Sequence, residues 1–232
     1  YGACVASNGV SFTINSHGAT RCTLLLFKPQ APKPYARIPF PDSYRIGDTY
    51  SMLVFDIKPD EFEYAFSFDG PYEPAKGLLF NGENVLLDPY SRAVTGQRKW
   101  GEKPEGGKDF EYRARVVKSS FDWGNIKQLE QPFEDLVIYE THVRGYTKDK
   151  SSGVSAPGTF AGLKDKIPYL KDLGINAVEL MPIFEFDEME SARVVDGVQL
   201  YNYWGYNTVS FFAPNTSYAF NEEHNLSLIH IS

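Results

Sequence analysis

Three aromatic rings and a glycine stand together in Asn202-Tyr203-Trp204-Gly205-Tyr206-Asn207. Tyr and Trp combine an apolar face with a polar tip, so rings of this type suit stacking against the C–H surface of a sugar. The bland alternative is a set of core aromatics bracing a loop from within. Tyr206 is read as the stacking ring, Tyr203 is evenly divided between the two roles, and packing is expected for Trp204. The cluster closes a long polar loop that follows the apolar segment Ile175–Pro182, so an element ending at Met181-Pro182 has to position it.

A second group is Glu140, His142 and Glu179. Glu140 and His142 are two residues apart, which puts them on one face of an extended chain. Charges buried in strands must be paired, so a structural network that includes Arg144 is expected, with His142 as the member able to face a ligand. Asp187, Glu188 and Glu190 form an acidic run. They are read as a solvated loop, because the Asx-rich spacing with glycine of a calcium loop is lacking. Cys4 and Cys22 show no CxxC pattern and no histidine at ligand spacing, which argues against zinc and against a disulfide scaffold. Two buried thiols are expected, and no metal or cofactor.

With 42% hydrophobic and 15% aromatic residues the chain is able to bury a core. Its formal charge of -7 is accompanied by no basic stretch with interleaved aromatics, which excludes the usual footprint for nucleic acid. No apolar run reaches the roughly 18 residues that a membrane span needs. A neutral polymer is therefore the expected partner. No signal-peptide pattern is visible, and the first residue is Tyr1 rather than Met.

From Val10 to about Val117 short alternating runs such as Val10-Phe12-Ile14, Cys22-Leu24-Leu26 and Tyr64-Phe66-Phe68 are broken by Gly47-Asp48 and Asp69-Gly70-Pro71. That pattern predicts an antiparallel, immunoglobulin-like β-sandwich. The polar stretch from about Gly96 to Pro132 reads as a connection laid over the surface. After it the period changes. Leu136–Tyr139 predicts a parallel strand covered on both faces, and Leu163, Ile167, Leu170 and Leu173 recur at helical spacing. Thr159 is the expected N-cap, Pro168 a break or kink, and Gly174 the stop. Ala177–Met181 is expected as a second buried strand.

Three segments carry a resemblance. Phe68-Asp69-Gly70-Pro71-Tyr72-Glu73-Pro74, with Phe80-Asn81 and Leu86-Leu87-Asp88-Pro89-Tyr90, is similar to the N-terminal family 48 carbohydrate-binding module of debranching enzymes. Tyr139-Glu140-Thr141-His142-Val143-Arg144-Gly145-Tyr146-Thr147 resembles the first strand of their (β/α)8 barrel. Ala177–Pro182 with Tyr203–Asn207 resembles the second strand and its loop. Together they resemble isoamylase and glycogen debranching enzymes of the α-amylase clan, glycoside hydrolase family 13. Branching enzymes usually continue the first strand into a Gly-Ser-Trp ending, whereas Val143–Thr147 stands here; pullulanases are closer rivals, and a non-catalytic glucan-binding protein is the rival from another class.

The resemblance implies residues 1–115 as the sandwich, 116–135 as a linker, 136–225 as the opening of a barrel, and 226–232 as a tail foreign to the fold. It implies retaining hydrolysis of α-1,6 branch linkages by two carboxylates about 5 Å apart, acting on an α-glucan such as glycogen or amylopectin in the cytoplasm. Those carboxylates belong to later strands, so none is assigned to a residue here and the chain by itself is expected to be inactive. Tyr206, Tyr203, Trp204 and His142 are the expected substrate-binding residues. Trp100, Trp123, Tyr72 and Tyr90 are read as packing aromatics, with glucan contact as the alternative.

Overall fold

A computed structural model describes residues 1–95, 100–102, 112–118, 124–125, 127 and 129–219. The chain divides into two compact units, one of Tyr1–Gly96, Lys103–Lys118 and Ser210–Ala213, the other of Gln97–Glu102, Ser119–Val209 and Pro214–Ser232.

The first unit is all-β. Its strands are β1 (Gly2–Ala6), β2 (Gly9–Asn15), β3 (Arg21–Phe27), β4 (Ala36–Pro39), β5 (Arg45–Ile46), β6 (Thr49–Phe55), β7 (Glu63–Asp69), β8 (Tyr72–Glu73), β9 (Leu78–Leu79), β10 (Ala93–Thr95) and β11 (Arg113–Arg115). One sheet has the order β1-β2-β6-β5 and the other β10-β11-β7-β3-β4, with every pairing antiparallel. The register of β2 on β6 runs from Gly9↔Phe55 to Asn15↔Thr49. It turns Val10, Phe12, Ile14, Tyr50 and Met52 to one side, where they join Cys22, Leu24, Leu26, Tyr64, Phe66 and Phe68 in a single core. Two sheets sharing one core through alternate residues make a β-sandwich.

The motif Asp69-Gly70-Pro71 has a packing cause beyond its turn. A Cβ on Gly70 would lie 2.5 Å from the Phe80 ring, so the missing side chain lets Phe80 close over the turn. Asp88 is fully buried, accepts the Tyr64 hydroxyl at 2.7 Å and takes the Tyr90 amide at 2.9 Å. The segment expected as a surface connection is partly core, since β11 lies inside it with Ala114 buried, and Val116 and Val117 just after the strand are buried too. Cys22 is buried as expected, but Cys4 is exposed on β1. At the start of the chain, β1 precedes the first alternating run found in the sequence.

In the second unit β12 (Ile138–Thr141) pairs in parallel with β13 (Ala177–Leu180), from Ile138↔Ala177 to Thr141↔Leu180. Between them come α1 (Val143–Thr147), α2 (Phe160–Asp165) and α3 (Ile167–Asp172). Thr159 caps α2 by accepting the Gly162 amide. The helical pattern breaks at Lys166 because Pro168, which lacks an N–H, sits in the first turn of α3. Gly174, with φ 90°, closes α3: its amide reaches Lys171 O and that of Ile175 reaches Leu170 O, a Schellman arrangement.

The strands are less covered than their apolar sequences suggest. Ile138 is 51% and Val178 43% exposed, and Glu140 and Glu179, register partners on the pair, are exposed too. Among the described residues β12 and β13 form a two-stranded sheet. Next come β14 (Phe184–Phe186), the hairpin β15 (Arg193–Val195) and β16 (Val198–Leu200), and β17 (Thr208–Pro214), which has residues in both units. Asp196 and Gly197, with φ 49° and 78°, turn the hairpin. The expected foreign tail, residues 226–232, lies outside the described residues.

Candidate functional site

The aromatic cluster belongs to the second unit, and Gly205 determines its form. Gly205 is buried with φ 79°, and a Cβ there would lie 2.4 Å from the Phe186 ring. The chain therefore presses its backbone onto Phe186 in a left-handed conformation that suits glycine. The flanking side chains are left outside: Trp204 is 62% and Tyr206 66% exposed, with ring centroids 6.4 Å apart and planes at 70°. The core-packing expectation for Trp204 does not hold, since its ring faces solvent.

Beneath the loop lies a core of Val143, Phe186 and Tyr218 with Trp100, Phe160, Leu163, Leu180 and Ile183 against it. Trp100, assigned to the first domain in the sequence reading, sits here instead. It stacks on Tyr218 at 6.3 Å, meets Phe186 and Tyr203 edge-on at 5.9 and 5.8 Å, and carries the Arg144 guanidinium over its face at 4.6 Å. In the first unit Tyr72 is exposed, while Tyr90 stacks on Tyr1 at 4.9 Å and on Phe212 at 5.8 Å. Trp123 is outside the described residues.

His142 follows β12 and is the N-cap of α1. Its Nδ1 accepts the Gly145 amide at 3.0 Å, so the proton is on Nε2, which donates to the Tyr203 carbonyl at 2.8 Å. The Tyr203 ring lies parallel to the imidazole, with centroids 4.2 Å apart and planes at 12°. Its hydroxyl fits over Gly145, where a Cβ would approach within 2.5 Å. Burial, helped by the Arg144 charge, holds the His142 pKa below the ordinary histidine value. The expected charged network does not form, because His142 is buried and neutral while Glu140 and Glu179 are exposed.

Two acids that no periodicity revealed as buried lie in the same unit. Glu185 is fully buried and its Oε2 accepts the Thr216 amide at 2.8 Å and the Thr216 hydroxyl. Burial pushes its pKa up to about 8, against the opposing Thr216 bonds. Glu188, expected in solvent, is also fully buried. It accepts the Gly101 amide at 2.7 Å and is pushed up to about 7, first by burial. Asp187 accepts the Met189 amide, while Glu190 is exposed and holds Asn207. Glu185 and Glu188 are thus sealed from solvent and hold loop backbone, while the surface offers rings.

An open groove of about 490 Å³ is lined by Ser191, Arg193, Gln199, Leu200, Tyr201 and Tyr203. Among the described residues no three His, Cys, Asp or Glu side chains are grouped to hold a metal ion. No described helix is long and apolar enough to cross a membrane.

Residues 1–91 match carbohydrate-binding module 48, the isoamylase N-terminal domain. The relatives of the chain are isoamylases and glycogen debranching enzymes. Chloroplastic isoamylase 1 of Oryza sativa subsp. japonica is 37% identical over 225 residues, covering 94% of this chain and 28% of the rice protein. The glycogen debranching enzyme of Yersinia enterocolitica is 35% identical over 230 residues, covering 93% of this chain and 33% of its own. Apo pullulanase from Paenibacillus barengoltzii shares the fold, with a TM-score of 0.74 at 20% identity over 97% of this chain and 33% of that one. The chain spans about a third or less of the length of these proteins.

Proposed function

We propose that the protein hydrolyses α-1,6-glucosidic branch linkages of α-glucans such as glycogen and amylopectin. In this reading residues 1–115 are its sandwich module, 116–135 a connection, and 136–225 the opening strand–helix–strand portion of a (β/α)8 barrel. The relatives supply the substrate class. The observation that carries the reading is the Trp204–Tyr206 pair, exposed at the loop after parallel strand β13 by the burial of Gly205 on Phe186.

Loops at the C-terminal ends of barrel strands are where such folds place their sites. A ring there meets the sugar while the bond breaks. Retaining hydrolysis further needs a nucleophilic carboxylate and an acid/base carboxylate about 5 Å apart; neither role is assigned to a residue of this chain. The contribution assigned here is substrate stacking by Tyr206, with Trp204 and Tyr203 beside it.

A ring stacked on a sugar that flattens toward an oxocarbenium ion supports the transition state more than the ground state. Such contacts contribute about 0.5–1.5 kcal/mol beyond their buried area, and that area adds a similar amount. Tyr206→Ala in the full-length protein should then lower kcat/KM on a branched glucan by roughly tenfold to a few hundredfold. Tyr206→Phe keeps the ring and should lose far less. The assay is reducing-end release from amylopectin and from pullulan. No release from either by the full-length protein would end the debranching reading, and an Ala variant within about twofold of wild type would end the role of Tyr206.

A further inference from the structure

His142 has no nitrogen left for a ligand. Its Nδ1 is used by the Gly145 amide and its Nε2 proton by the Tyr203 carbonyl, with the Tyr218 hydroxyl 3.2 Å from the same nitrogen. Only 8% of the residue is exposed. What it does touch is the residue immediately before Trp204. Tyr203 is held twice by this imidazole, through its carbonyl and through its ring, and a third time where its hydroxyl settles over Gly145. Two residues on, Gly205 is clamped on Phe186. The exposed rings are therefore suspended from two fixed points, one of them His142.

We propose that His142 is a positioning residue: it sets the placement of the Trp204–Tyr206 rings through Tyr203 and touches no sugar itself. The inference rests on the reading of those rings as a glucan-stacking surface.

One protonation state alone allows this arrangement. A proton on Nδ1 would confront the Gly145 N–H, donor against donor, and remove the cap of α1. The groups facing the imidazole give that proton no compensation. They are Arg144 on α1, which repels it, and the neutral hydroxyls of Tyr203 and Tyr218; the Glu188 charge acts on Arg144. Because burial and Arg144 hold the histidine below its ordinary value of 6.5, the anchor is intact at and above that pH and is lost only as pH falls through the lowered folded value.

The test is maltohexaose binding to the full-length protein by calorimetry, with wild type and His142→Asn. Asparagine is itself a good N-cap whose Oδ1 can take the Gly145 amide, but it is too short to reach the Tyr203 carbonyl and carries no ring to stack. The variant should keep its thermal midpoint within a few degrees and bind about tenfold more weakly, the equivalent of one stacked ring misplaced. Followed downward from pH 6.5, wild-type affinity should show a step that the variant lacks, on top of whatever pH dependence the two share through Glu185 and Glu188, a difference that a merely structural role would not produce. Unchanged binding by His142→Asn overturns the proposal. So does a wild-type affinity that stays level at every pH below 6.5 at which the protein remains folded, a result that stands even if the variant fails to fold. Because binding is read without hydrolysis, an intact pH-dependent affinity with no α-1,6 cleavage would sink the debranching reading and leave the anchor standing.

Discussion

Glu185 offers a test of the second unit's interior in which the sign of the effect reverses with pH. The carboxyl is fully buried, its Oε1 has no hydrogen-bond partner among the described residues, and its pKa rises from 4.5 to about 8. A carboxyl whose folded pKa is raised stabilises the fold below its unfolded value, and that stability is lost as pH rises toward the folded value. At about 1.4 kcal/mol per unit, the full loss across such a window is on the order of 5 kcal/mol, and roughly 2 kcal/mol of it falls between pH 6 and pH 8. Glu185→Gln removes the titration and keeps an oxygen for the Thr216 amide. It also leaves a buried N–H unpaired, which costs about 1–3 kcal/mol at either pH. The variant should therefore be the weaker protein at pH 6 and approach or overtake wild type at pH 8. In urea unfolding of the full-length protein, followed by tryptophan fluorescence because Trp100 lies in the same unit, wild type should lose about 1 M more in midpoint over that pH step than the variant. Parallel shifts in the two proteins would show that Glu185 is not the group that charges, and Glu188, pushed up to about 7, would be the next to replace.

Two further outcomes follow from the geometry. Gly205→Ala places a Cβ in the Phe186 ring and a side chain at φ 79°, so it should cost at least ~2 kcal/mol from the left-handed backbone and overpacking together and weaken maltohexaose binding; a variant with wild-type stability and affinity would refute the clamp. Of the two cysteines, Cys4 is exposed while burial holds the Cys22 thiol well above its ordinary pKa, so a thiol reagent applied to native protein and mapped by peptide analysis should mark Cys4 and spare Cys22.

The sandwich was readable because each of its long strands has one face on a shared core, and a period of two then shows in the residues themselves: Val10, Phe12 and Ile14 against Ser11 and Thr13. The helix boundaries were equally plain, since Thr159, Pro168 and Gly174 act through local backbone chemistry that depends on no distant partner. Burial that depends on distant partners was not readable. Leu136–Tyr139 and Ala177–Met181 look like interior strands, yet Ile138 and Val178 are exposed, because apolar character states what a strand can bury and says nothing of whether a neighbour is there to bury it. The reverse error befell Glu188, whose acidic run reads as solvated until Gly101, 87 positions away in sequence, is found donating to it.

The same limit explains why the aromatic cluster could be located but not apportioned between stacking and packing. Tyr203, Trp204 and Tyr206 are equivalent as residue types, and what separates them is the conformation of Gly205 and the ring beneath it. A left-handed glycine pressed on Phe186 sends the rings on either side outward, and the imidazole stacked on Tyr203 fixes one face of the third ring, which is still 41% exposed. The glycine that reads as a gap in the motif is thus the residue that gives the motif a surface, and the histidine that reads as a candidate ligand contact is the one that holds that surface in place.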